Sequence, residues 1–311
     1  MQHNNNNHSY RFDGRVAIIT GAASGLGRAY AMLMAKRGAL VVVNDLANTE
    51  SVVAEIKALG GAAAGCNESV LNGRRIVECA LDTFSGLDIV INNAGILRDR
   101  SFANMSEAEW DAVIQTHLLG SYRVTRAAWP HLRAKGYGRV IFTASGSGLY
   151  GWYGQANYAA AKMGCLGLAN VLAIEGKRHG VHVNTICPIA GSALSATVWP
   201  DSVIRALSPD NVAPVVAYLC HESCPTTGGV FEAGGGWVSA LRWQRTSGAM
   251  LSGPSGNLMK ELAGKWRDVL DFGSGGNLGI LDSYQAVLPT MPSDAAQEWA
   301  AFIAKLEAQG H

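Results

Sequence analysis

Long hydrophobic runs are missing from this chain, and no apolar stretch reaches the ~18 residues that a membrane-spanning helix needs. An excess of either charge is missing too. Lys plus Arg number 25 against 24 for Asp plus Glu, so nothing electrostatic points to a nucleic acid or an anionic membrane as partner. Charged residues make up only 16% of the 311 and hydrophobic ones 48%. That balance excludes a disordered chain and allows one large α/β domain or two modest ones. Six cysteines, at 66, 79, 165, 187, 220 and 224, fit no zinc spacing and, without a secretory signal, read as reduced thiols. Cys220, His221 and Cys224 lack a second ligand pair at a usable distance, so no metal is expected. Residues 1–9, rich in Asn and His, have no apolar core and read as a flexible leader rather than a signal peptide or anchor. Ala308-Gln309-Gly310-His311 is not a peroxisomal tripeptide. These features together lead us to expect a cytoplasmic protein.

What is present is an alternation of short apolar runs with helical stretches. Strands are expected at Val16 to Thr20, Leu40 to Asn44, Ala62 to Cys66, Asp88 to Asn92, Arg139 to Thr143, Val181 to Ile186 and Gly229 to Glu232. Helices are expected at 29–37, 50–59, 72–84, 107–135, 155–178 and 211–221, with Pro130 bending or ending the fourth. Strands apolar on both faces need helices on both sides. The result is an α/β fold, a Rossmann-type doubly wound parallel sheet of about seven strands. Residues 10–244 are expected to form its single domain. Residues 245–311 are a C-terminal extension with amphipathic pieces at 258–270 and 295–306, packing on the domain or on a partner subunit.

In such sheets ligands bind beyond the carboxyl ends of the strands, where Gly21, Asp45, Asn93, Ser145 and Pro188 all fall. Gly21, Gly25 and Gly27 stand between the first strand and the first helix, where backbone N–H groups approach a pyrophosphate at the positive end of a helix. Asp45 is placed to accept hydrogen bonds from the adenosine ribose hydroxyls and to repel a 2′-phosphate. Ser24 and Leu46, where a basic residue would rescue that phosphate, are uncharged, and Arg28 is expected at solvent or a core edge. The cofactor expected is therefore NAD. Tyr158 and Lys162 are one helical turn apart, which stacks phenol and ammonium on one face. The cation favours the phenolate, and Ser145 offers a hydroxyl hydrogen bond. These are the parts of a base that takes a proton from an alcohol while hydride leaves its carbon.

With Thr20-Gly21-Ala-Ala-Ser-Gly25-Leu-Gly27, Asn92-Asn93-Ala94-Gly95, Ser145 and Tyr158-x-x-x-Lys162 in order, the chain resembles the short-chain dehydrogenase/reductase family. Asn93 to Phe102, Tyr150-Gly151, Gly154 to Tyr158, Cys220 to Cys224, Leu241-Arg242-Trp243 and the tail around Trp266 to Phe272 are similar to the dehydrogenase units of multifunctional peroxisomal β-oxidation enzymes. That resemblance implies an NAD-dependent (3R)-hydroxyacyl-CoA dehydrogenase, dimeric through the helices at 107–135 and 155–178. Matching positions imply cofactor contacts from Gly21, Ser24, Leu26, Asp45, Glu68, Asn93, Gly95, Lys162 and Ile189, to which Gly25, Gly27, Ala94 and Pro188 add. Glu68 stands where an aspartate is usual. His117 stands where the family generally has an asparagine that orients a water in a proton relay, and either ring nitrogen could replace it. A histidine hydrogen-bonded inside the fold is the alternative.

Arg98 and Arg100 suit CoA phosphates or a solvated surface equally. Trp152, Tyr153, Gln155, Leu194 and Trp199 flank the catalytic positions as an acyl channel or as ordinary packing, with 191–207 as the substrate loop. A 17β-hydroxysteroid or a steroid with a CoA-thioester side chain fits the same chemistry. A nucleotide-sensing module without catalysis is the third reading, opposed by the intact Ser145, Tyr158 and Lys162.

Overall fold

Valine, isoleucine and alanine fill the strands on both faces, and the chain buries them accordingly. In the computed structural model, which describes residues 10–191, 201–251, 257–274 and 293–308, β1 (Val16–Thr20), β4 (Ile89–Asn92) and β5 (Gly138–Thr143) are buried at every residue. Around them lie β2 (Leu40–Asp45), β3 (Ala62–Asn67), β6 (Val181–Pro188), β7 (Val230–Gly234) and β8 (Trp237–Leu241). They form one sheet in the order β3-β2-β1-β4-β5-β6-β7-β8. Every pair from β3 across to β7 is parallel. The order reverses between β1 and β4, the switch point at which such sheets bind ligands.

The sheet has one strand more than the sequence suggests. Gly235 and Gly236, with φ of 57° and 88°, make a two-residue turn that brings β8 back beside β7. Most of β8 is exposed or half-buried, so it carries no run of buried apolar residues.

Helices close both faces. α1 (Gly25–Lys36), α2 (Thr49–Ala58) and the helix Ala213–Cys220 cover the side where Ala17, Ile19, Val41 and Ile91 meet Tyr30, Met34, Ile56 and Val216. α3 (Gly73–Phe84), α5 (Gly120–Lys135) and α7 (Ala156–Lys177) cover the other, where Ile18, Val42, Val90 and Phe142 meet Ile76, Leu132 and Ala169. Alternate residues of β1 thus enter opposite cores, as the period of a strand dictates.

The helix expected over 107–135 is interrupted. α4 (Glu107–Ile114) begins at a Ser106–Glu109 capping box and gives way to a π turn at Gln115–Leu119 before α5 starts. Pro130 lies inside α5 without ending it, so the break falls at His117 instead. α6 (Gly146–Tyr150) is a further short helix between β5 and α7.

The chain separates into two compact units, Met1–Ala240 and Leu241–His311. The described part of the second holds short helices at Leu258–Gly264 and Trp266–Val269 and a longer one at Ser293–Ala308. Within it, Thr246 donates to the Val269 carbonyl at 2.7 Å.

At the amino end of the sheet, away from the strand termini that bind ligands, the fully buried Asp88 joins three segments. It accepts from the Val16 N–H at 2.9 Å and pairs with Arg15 at 3.1 Å and Lys135 at 2.6 Å. Asp88→Ala leaves two cations without their buried anion. Because both cations are partly exposed, we expect a loss of about 2 kcal/mol in urea unfolding rather than the larger cost of a fully buried pair. An unchanged midpoint would contradict this.

Candidate active site

The turn after β1 is shaped by contact with the end of β4. Gly21 has φ of 65°, and a Cβ there would sit 2.7 Å from the Ala94 Cα, so only glycine fits. The Thr20 Oγ1 accepts the N–H groups of Asn93 and Ala94, both at 3.0 Å. The Asn93 amide returns hydrogen bonds to the carbonyls of Thr20 and Gly21, at 3.0 and 3.2 Å. Above this stitching the Ser24 side chain makes no capping hydrogen bond, which leaves the first N–H groups of α1 to an anion. A Cβ added at Gly25 would meet nothing within 4 Å, so the turn has an open side. Gly21, Ser24, Gly25, Leu26 and Gly27 therefore form a cradle that fits a dinucleotide pyrophosphate.

At the end of β2, one Asp45 oxygen accepts the Ala23 N–H at 3.1 Å and the other the Leu46 N–H at 2.8 Å. Arg28 is held by Glu55 across α1 and α2. Glu68, just beyond β3, accepts from the Asn72 amide at 3.0 Å, while its carbonyl accepts from Asn44 at 2.8 Å. Pro188 ends β6, and Ile189 beyond it donates its N–H to the Ala233 carbonyl at 2.8 Å. The predicted cofactor residues thus lie at the carboxyl ends of β1, β2, β3, β4 and β6.

Lys162 organises the other side of the site. It is buried on α7, and its Nζ donates to the Thr143 carbonyl at the end of β5, 2.6 Å away. The same Nζ lies 5.4 Å from the centre of the Tyr158 ring, one helical turn earlier. His117, on the π turn, meets that ring edge-on with centroids 5.0 Å apart. The His117 Nε2 lies 2.7 Å from the Ile96 carbonyl and 3.0 Å from its N–H, while the buried Nδ1 has no protein partner. Gly95 makes room for this ring, since a Cβ there would lie 2.2 Å from the His117 Cε1. Burial, reinforced by the Lys162 charge, pushes the His117 pKa down to about 3, so the imidazole stays neutral at ordinary pH.

Ser145 caps α6. Its Oγ accepts the Ser147 N–H at 3.2 Å, so the hydroxyl proton remains free to be donated. α6 rests on α7 at the lysine: a Cβ on Gly148 would lie 3.3 Å from the Lys162 Cβ. The fold therefore groups Tyr158, Lys162 and His117, with Ser145 at the start of the short helix that rests on Lys162.

The expected substrate residues fare differently. Arg98 is exposed and donates to the Leu97 carbonyl at 2.7 Å, and Arg100 pairs with Glu109 at 3.2 Å. Gln155 is buried and donates to Asp99 at 2.7 Å, while Trp152 and Tyr153 are exposed. Leu194 and Trp199 lie outside the described residues. Two residues escape a reading from sequence. Thr20 ties β1 to β4, and Asn157 holds the carbonyls of Arg98 and Glu109 through its amide, each at 3.1 Å, while its Oδ1 accepts the Tyr158 N–H at 2.7 Å. The only local signal for Asn157 is its place directly before the tyrosine.

A family profile described as short chain dehydrogenase matches residues 15–198. The peroxisomal multifunctional enzyme type 2 of Mus musculus is 51% identical over 274 residues, covering 84% of this chain and 37% of its own. A hydroxyacyl-CoA dehydrogenase of Mycobacterium tuberculosis is 41% identical over 239 residues, covering 70% of this chain and 75% of its own. The solved structure of full-length peroxisomal multifunctional enzyme type 2 from Drosophila melanogaster matches with a TM-score of 0.80 and 43% identity, over 90% of this chain and 50% of that one. The chain thus spans about a third of the mouse enzyme's length and half of the fly enzyme's.

The buried neutral His117 gives folding a pH dependence. Its folded pKa of about 3 lies below the ordinary 6.5, so below pH 6.5 the unfolded chain takes up a proton that the folded one refuses. Stability is complete above that pH and falls on acidification toward pH 3. His117→Asn should flatten the stability curve in that window by up to one proton, about 1.4 kcal/mol per pH unit. Urea unfolding at several pH values checks this; parallel curves for the two proteins would contradict it.

Proposed function

The chain belongs to the short-chain dehydrogenase family, and from that premise we propose that it oxidises the C3 hydroxyl of a (3R)-hydroxyacyl-CoA with NAD. The observation that carries the reading is the buried Lys162, held by the Thr143 carbonyl and within 5.4 Å of the Tyr158 ring. A nicotinamide dinucleotide, when bound, supplies the acceptor for hydride.

Tyr158 takes the proton of the substrate hydroxyl as the carbon–hydrogen bond breaks. Lys162 places its charge one helical turn from that phenol, and the N–H donors not committed to Thr143 would hold the ribose hydroxyls. Ser145 donates its proton to the substrate oxygen, where partial negative charge develops. General-base catalysis of this kind contributes roughly 10²–10⁴-fold. The neutral His117 holds Ile96 with one nitrogen and offers the other to a water of the proton relay.

NAD rather than NADP is supported by Asp45, whose carboxylate repels a 2′-phosphate at close range. Arg28, the cation nearest to the glycine turn in sequence, is engaged with Glu55. The acyl-CoA substrate is supported by the name of the M. tuberculosis relative. Catalysis is assigned to residues 10–244. A homodimer is supported by Leu119, Tyr122, Val171 and Ile174, apolar residues exposed on the π turn, α5 and α7. Among the described residues no helix is long and apolar enough to cross a membrane.

Purified protein should form NADH from NAD with (3R)-hydroxyacyl-CoA and not with the (3S) enantiomer, and NADP should be more than about tenfold poorer. Turnover of estradiol but of neither acyl-CoA would discard the substrate, and inactivity on all three would discard the reading.

A further inference from the structure

α6, the helix that begins at Ser145, has only five residues. A single turn is not stable alone, because helix nucleation is unfavourable, so something outside it must hold it. Its middle rests on α7, where Gly148 meets Lys162 and Met163. Its far end is released into solvent: Gly151 leaves the helix with φ of 82°, and Trp152 and Tyr153 beyond it are exposed.

One side chain bridges from that end back to the sheet. The Tyr150 ring is largely exposed, but its hydroxyl donates to the Glu232 Oε2 at 2.8 Å, a contact across 82 residues of sequence. Glu232 lies on β7 and is buried to 9% exposure, an expensive place for a carboxylate without a hydrogen bond. Its other oxygen would lie 3.8 Å from a Cβ on Gly146, and the Tyr150 Cδ2 would lie 3.7 Å from the same point. The pair therefore folds back against the first residue of α6, directly after Ser145. The bond to Glu232 also raises the Tyr150 pKa, which keeps that hydroxyl a donor.

We propose that Glu232, acting through Tyr150, is the positioning residue that holds α6 and with it the Ser145 hydroxyl. Neither residue needs to touch the substrate for this. The proposal rests on the dehydrogenase reading only for what Ser145 does, and the anchoring of α6 can be measured without turnover.

The test compares Tyr150→Phe, Glu232→Ala and Glu232→Gln with the wild type in the full chain. Tyr150→Phe keeps the ring and removes the bond. Glu232→Gln keeps an acceptor for the tyrosine. Amide hydrogen exchange of residues 145–151, read by mass spectrometry, should accelerate in Tyr150→Phe and Glu232→Ala while residues of α7 stay protected. kcat should fall about tenfold in both, as for loss of one charge-assisted hydrogen bond. KM for NAD should change less than about twofold, and the isotope effect with substrate deuterated at the reacting carbon should rise. Glu232→Gln should recover most of the activity. Unchanged exchange in 145–151 would overturn the proposal, as would faster exchange with full activity. A general loss of protection over the whole domain would overturn it too, by showing a merely structural role. Failure of the wild type on acyl-CoA would count against the substrate alone, and the exchange arm would still decide whether the pair anchors α6.

Discussion

A single buried ammonium organises the candidate active site of this protein. Lys162 is 3% exposed, and a charge so placed must be compensated by hydrogen bonds or by neighbouring charge. The Thr143 carbonyl supplies the hydrogen bond at 2.6 Å and thereby locks α7 to the end of β5. Once that register is set, Tyr158 is fixed one turn earlier on the same helix. Ser145 follows two residues after Thr143 on the other side of the contact. The site is thus built from the junction of one strand end with one helix, and the rest of the sheet serves to present that junction.

The surroundings keep the ammonium as the dominant charge near the phenol. His117 is held neutral by burial and by Lys162 itself. Burial pushes the thiols of Cys165 and Cys187 up, the latter to about 12, so neither competes as a nucleophile. The nearby thiols and imidazole are therefore uncharged, and Tyr158, the proposed proton acceptor, has a cation at hand. The nucleotide side is organised differently. There the partners are backbone groups, spaced by glycine and stitched by Thr20 and Asn93.

Much of this was legible in the sequence because its causes are local. Apolar runs between glycine turns mark the buried strands, and the Tyr158–Lys162 spacing marks a shared helical face. Fold class and membership of the family follow from such signals, and the comparisons bear them out. What escaped depends on contacts distant in sequence. The π turn at 115–119 leaves no mark in hydrophobic periodicity, since it adds a single residue, and Pro130 drew the break to the wrong place. β8 is short and exposed, and its only announcement is the Gly235-Gly236 pair. Tyr150 and Glu232 read separately as an aromatic and a strand-end acid; only the fold makes them a pair.

On the proposed mechanism Tyr158 moves the proton while other groups hold the cofactor. Measuring NAD affinity by calorimetry alongside turnover in Tyr158→Phe tests it most directly. Turnover should disappear while NAD binds with nearly wild-type affinity. Turnover that survives, or NAD binding lost together with it, would contradict that division of roles.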